Sequence, residues 1–112
     1  MTRRRREGLT FDDVRTVALA MEDVVEGTSY GTPAFRRRDK LFLRLREDGE
    51  SLVVRTKTEW RDELLAAEPG TYYVTDHYVH YPWVLVRFAK MHPDALRDLL
   101  KTAWRLASSK RR

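Results

Sequence analysis

The sequence predicts one α+β domain, a two-layer sandwich with helices packed on one face of a mainly antiparallel, five-stranded sheet. Three observations lead there. The chain has 112 residues, 42% of them apolar, enough for one core but not two. Short runs of alternating apolar and polar residues follow one another through the middle of the chain, separated only by Asp39-Lys40 and Glu47–Glu50, which favours antiparallel pairing. Helical spacing appears near each end and once between, giving the order α-β-β-β-α-β-β-α with no internal repeat.

Each element has its own local cause. Thr10 is placed as an N-cap, Asp12 and Asp13 suit the first turn, and Val14, Val17, Ala18 and Met21 repeat at helical spacing. Leu9 and Val14 are positioned for a hydrophobic staple. From Glu22 to Pro33 the pattern breaks into small and polar residues and reads as a loop. Ala34–Arg38, Leu41–Arg46 and Ser51–Arg55 then read as a meander, with Leu41, Leu43 and Leu45 on one face and Arg44 and Arg46 on the other. Thr58 is expected to cap a short helix that Pro69-Gly70 ends. Tyr72–Thr75 and Trp83–Phe88 are the last strands, and Pro93 opens a final helix with Leu96, Leu99, Leu100, Ala103 and Trp104 on its inner face.

Composition excludes several function classes. With no cysteine there is no disulfide, thiolate nucleophile or zinc-thiolate site. No run approaches a membrane span, and the arginine-rich start lacks the apolar stretch of a secretory signal, so a soluble, cytoplasmic protein without membrane partners is expected. The net charge of +5 lies at the ends. Residues 1–8 carry four arginines against Glu7, and 108–112 carry Lys110, Arg111 and Arg112; both read as basic disordered arms flanking a single domain at 9–107. That domain holds fifteen basic and sixteen acidic side chains.

Three groups of residues bear on chemistry. Glu26–Phe35 crowds hydroxyls, glycines and Tyr30 into one segment, but lacks the glycine-rich helix start and lysine of a phosphate loop. Thr75–Trp83 places Asp76, His77 and His80 together, yet no two histidines have a helical i, i+4 spacing, so no metal, cofactor or catalytic residue is assigned. The meander carries a basic set, in which alternation sends Arg36, Arg38, Arg44, Arg46 and Arg55 to the face away from the core as nucleic-acid contacts. Tyr30, Thr32, His77, Tyr78 and Tyr81 are expected to border a groove, with Trp83 and Phe35 as packing residues.

Thr28–Phe35, Lys40-Leu41-Phe42, and Thr75–Tyr78 through Trp83–Val86 together resemble the MmcQ/YjbR family over roughly Thr10 to Trp104. The resemblance implies a compact α+β fold likened to those of frataxin and the type III secretion chaperones, and a customary description as DNA-binding. Other branches carry an Asn-Lys pair ahead of a His-Trp pair, where this chain reads His77-Tyr78-Val79-His80-Tyr81-Pro82-Trp83.

The expected function is therefore that of a non-enzymatic binding protein, with DNA as partner through arginine-phosphate contacts of little sequence specificity. The alternative is a protein-interaction or chaperone-like module, or a homodimer, using the open sheet face or the aromatic loops. Because the charge sits in the arms, removing residues 1–8 and 108–112 is expected to weaken duplex DNA binding sharply in a fluorescence titration at moderate salt. Equal affinity of the 9–107 body would contradict this.

Overall fold

The computed structural model describes residues 8–107; the two basic arms lie outside the described residues except for Gly8. Helix α1, Phe11–Leu19, begins on a capping box. Asp13 N donates to Thr10 Oγ1 at 3.3 Å, and Thr10 N donates back to the Asp13 carboxylate at 2.8 Å. Helix α2, Thr58–Ala67, starts after Lys57 with Thr58 as its first residue and no side-chain cap. Helix α3, Pro93–Leu106, has proline in its first turn and is capped by His92, whose Nδ1 accepts from Asp94 N at 3.1 Å. None of these helices is long and apolar enough to cross a membrane.

The sheet has six strands where five are expected. They are β1 Val24–Ser29, β2 Thr32–Arg37, β3 Lys40–Leu45, β4 Ser51–Arg55, β5 Tyr72–Tyr73 and β6 Trp83–Arg87, in the order β1-β2-β3-β4-β6-β5. Every pairing is antiparallel. The additional strand is β1, in the stretch that reads as a loop. It joins β2 through Tyr30-Gly31, whose φ angles of 55° and 79° are both positive, as a two-residue turn matched to strand twist requires. Past Val24-Val25, the composition Glu-Gly-Thr-Ser has no apolar alternation to announce a strand. As an edge strand, β1 needs little.

A bulge changes which residues face the core. The β2–β3 register slips between Phe35 and Arg36, so that Phe35 opposes Leu43 but Arg36 opposes Leu41. Phe42 is the additional residue and joins Leu43 in the core, while Leu41 moves to the opposite face. The expected Leu41, Leu43, Leu45 stripe is broken at its first member.

On the helix side, Phe35, Leu43, Val54 and Val84 form one cross-strand row, and Leu45, Leu52, Val86 and Tyr72 form the next. Val14 and Ala18 of α1, and Leu96, Leu100 and Ala103 of α3, close on these rows, and Leu64 and Leu65 reach the same cluster from α2. Trp104 ties α3 to the sheet: Arg37 lies 3.6 Å over its ring, and its Nε1 donates to Glu22 O at 2.9 Å. Phe35→Ala is expected to cost about 3–5 kcal/mol through the packing removed and the cavity left behind. Urea unfolding checks this, and a loss below about 1 kcal/mol would contradict the full burial of the ring.

Candidate functional site

The sheet face opposite the helices is built from alternate strand positions. Register places Ala34, Arg36, Leu41, Arg44, Val53, Arg55, Trp83, Leu85, Arg87 and Tyr73 on it. No strand contributes a carboxylate. The single acidic strand residue, Glu26, opposes Phe35 and pairs with Arg15 of α1 at 3.0 Å on the helix side.

Arginines and aromatic rings interleave across this face. Arg44 lies 5.0 Å from the Tyr30 ring centroid, Arg55 4.8 Å from that of Trp83, and Arg87 4.2 Å from that of Tyr73. Of the five arginines expected here, four are present and Arg38 is not. Arg38 occupies the β2–β3 turn at φ 58° and pairs with Asp23 at 3.1 Å, because the strand ends at Arg37.

The four differ in what they can offer a ligand. Arg44 is only 5% exposed and its guanidinium is engaged: Nη2 donates to Tyr78 OH at 2.7 Å, and Nη1 donates to Thr32 Oγ1 and Leu45 O, with Glu47 at 3.5 Å. Arg46 donates to Tyr73 OH at 3.1 Å and faces Asp48 at 3.4 Å. Burial works against its charge, but Tyr73 and the neighbouring carboxylates outweigh it and hold Arg46 above the ordinary guanidinium range. Arg36 donates to Thr28 O on the exposed surface. Arg55 donates through Nε to Leu41 O at 2.9 Å, and its terminal nitrogens meet no hydrogen-bond partner among the described residues. Burial without a compensating acid lowers its pKa.

The segment between β5 and β6 folds back over this face and is held there by Arg61 of α2. Arg61 is 4% exposed, and its fork donates to the carbonyls of Tyr78, Val79, Tyr81 and Trp83 at 2.9–3.3 Å. No carboxylate pairs with it among the described residues, and its Nε is buried without a partner. Sequence reading missed Arg61 because a charged residue in an exposed-looking helical turn is ordinarily a solvated one.

Between segment and sheet lies a cavity of about 290 Å³, lined by Tyr30, Leu41, Arg44, Val53, His77, Tyr78, Tyr81 and Trp83. A second hollow of about 200 Å³ shares Tyr30, Arg44, His77 and Tyr78 with it. Four of the five residues expected to border a groove thus line one cavity. Thr32 stands behind Arg44, accepting from it and donating to Ser29 O at 3.0 Å. Trp83, expected as a packing residue, is a half-buried wall of this cavity on the open face. Tyr30 is 77% and Tyr81 57% exposed. A larger hollow of about 430 Å³, between the starts of α1 and α3, has no aromatic ring in its lining.

Fold and site define an α+β domain with a helix-covered apolar face and an open face of arginines and aromatic rings. The sequence model of the YjbR family matches residues 19–106, and the chain belongs to that family. It is similar to the uncharacterized proteins Rv2570 of Mycobacterium tuberculosis and Mb2600 of Mycobacterium bovis, each 38% identical over 63 residues. That match covers 55% of this chain and 49% of either relative, so the chain spans about half the length of the curated relatives it matches. The crystal structure of Deinococcus radiodurans protein DR2400, a DUF419 domain, superposes with a TM-score of 0.78 at 21% identity, over 96% of this chain and 84% of that one. This is a likeness of fold.

Arg61→Ala is expected to lower stability by about 3–5 kcal/mol, since four carbonyls lose a charged donor in a buried site. Hydrogen exchange at 76–82 is expected to rise more than in β3 or β4. Arg61→Lys is expected to rescue little, because an ammonium cannot reproduce the fork. Wild-type stability in both variants would refute the role given to this residue.

Proposed function

We propose that the protein is a non-enzymatic nucleic-acid-binding protein that engages DNA through its open sheet face, contacting the sugar-phosphate backbone with little reading of sequence. The observation that carries this is the strand face without carboxylates, on which Arg36, Arg55 and Arg87 stand among aromatic rings, with Arg46 just past the end of β3 beside Tyr73 and Asp48. A near-neutral body overall is compatible with it, because the acids of α2 and α3 lie on exposed helical positions. The customary description of the family agrees with the partner.

A second reading, as a protein-interaction module or homodimer, is favoured by β1. It is an edge strand, and its Val25 is 62% exposed.

Replacing Arg36, Arg46 and Arg87 together by glutamine tests the main reading. Duplex affinity of the full chain is expected to fall, with the slope of log affinity against log salt decreasing by about one for each phosphate no longer neutralised. An unchanged slope would assign binding to the arms alone and remove the face as the site.

A further inference from the structure

The cavity beside Tyr81 has a shape and lining that phosphate contact alone does not use. Its floor is apolar, made by Leu41 and Val53, and its walls are the rings of Tyr30, His77, Tyr78, Tyr81 and Trp83. At about 290 Å³ it sits at the lower end of the roughly 300–1,000 Å³ of small-molecule sites, a size for one planar group rather than a large ligand.

Its polar groups divide into two kinds. Arg44 and Tyr78 are bonded to each other at 2.7 Å, and His77 meets Tyr78 edge to face at 4.7 Å, which fixes the wall. The Tyr81 hydroxyl, the His77 imidazole and the terminal nitrogens of Arg55 make no hydrogen bond among the described residues and remain available to a ligand. Arg55 is at the rim, bonded to Leu41 O and lying over Trp83, and Arg36 is directly across from Leu41 in the next strand. Two cations outside the lining, Arg55 and Arg36, thus flank the pocket beside Leu41.

Tyr30 reaches the cavity from a strained backbone position, one of three non-glycine positions with positive φ among the described residues. Tyr30 adopts φ 55°, a region that bulky side chains avoid and that asparagine or glycine occupies more easily.

We propose that this cavity receives one unpaired base of a nucleic-acid strand, stacked against Tyr81 and Tyr30 over the Leu41 and Val53 floor, while Arg55 and Arg36 hold the flanking phosphates. The proposal rests on the nucleic-acid reading above and narrows it to single-stranded or locally opened substrate, since a paired base would have to be unpaired and unstacked, at a cost in free energy, before it could enter.

The test is fluorescence anisotropy of the full chain with three labelled probes: a short oligothymidylate, an abasic strand of equal length carrying the same phosphates, and a duplex. Wild type is expected to prefer oligothymidylate over the abasic strand by about tenfold or more, the contribution of one stacked base. Tyr81→Ala, in an exposed position, and Tyr30→Asn, which suits the positive φ, are expected to abolish that preference while leaving affinity for the abasic strand unchanged. Arg55→Gln is expected to weaken both single strands. Equal wild-type affinity for oligothymidylate and the abasic strand overturns the cavity's role and leaves phosphate binding by the face standing. A preference that survives in both tyrosine variants overturns it too. Binding of none of the three probes removes the nucleic-acid reading itself, and this proposal with it.

Discussion

The open face depends on one buried guanidinium. Arg61 reaches from α2 to the segment between β5 and β6 and donates to three of its carbonyls and to that of Trp83, where β6 begins. The segment has no strand or helix of its own; short turns bond Tyr78 O and Tyr81 O to Tyr81 N and Trp83 N, and Arg61 adds a charged donor to carbonyls that those turns leave partly satisfied. Satisfying them from one rigid planar fork fixes the backbone of residues 78–83 and thereby the directions in which Tyr78 and Tyr81 project. The partners are dipoles rather than a carboxylate, so the charge is stabilised without neutralising the surface above it.

The second arginine of this kind is Arg44. It is buried like Arg61, yet it stands on the sheet side of the cavity and ties Tyr78 back to β3 and to Thr32 of β2. Together the two guanidiniums hold the aromatic segment from both sides. This divides the basic residues by role: Arg44 and Arg61 build the wall, whereas Arg36, Arg55 and Arg87 keep donors near the surface. Counting arginines along the meander does not reveal that division, because it depends on which carbonyls and hydroxyls lie within reach after folding.

The helix side and the open side answer to different demands. The helix side is a continuous apolar core whose rows run across β2, β3, β4 and β6, and it specifies the register of every strand within it. The bulge at Phe42 is the point where the two sides meet. It allows two consecutive large residues to enter the core and releases Leu41 to floor the cavity, so one backbone irregularity serves both packing and site.

By itself the sequence determined the fold class, the three helices, the central meander, the burial of Phe35 and the membership of Tyr30, His77, Tyr78 and Tyr81 in one surface. These follow from local causes: capping residues, the periods of 3.6 and 2, turn chemistry, and a family resemblance carried by contiguous motifs. Tertiary structure alone decided the rest. β1 became a strand because β2 offered it an edge, although Glu26–Ser29 has the composition of a turn. Leu41 changed faces because the β2–β3 register slips at Phe42, which enters the core in its place. Arg38 left the basic face because a turn closes at that position, and Arg61 acquired its role from carbonyls about twenty residues away in sequence. Arg61 alone among these depends on partners distant in sequence, whereas β1, Leu41 and Arg38 are decided within adjacent hairpins by a pairing register that composition does not reveal.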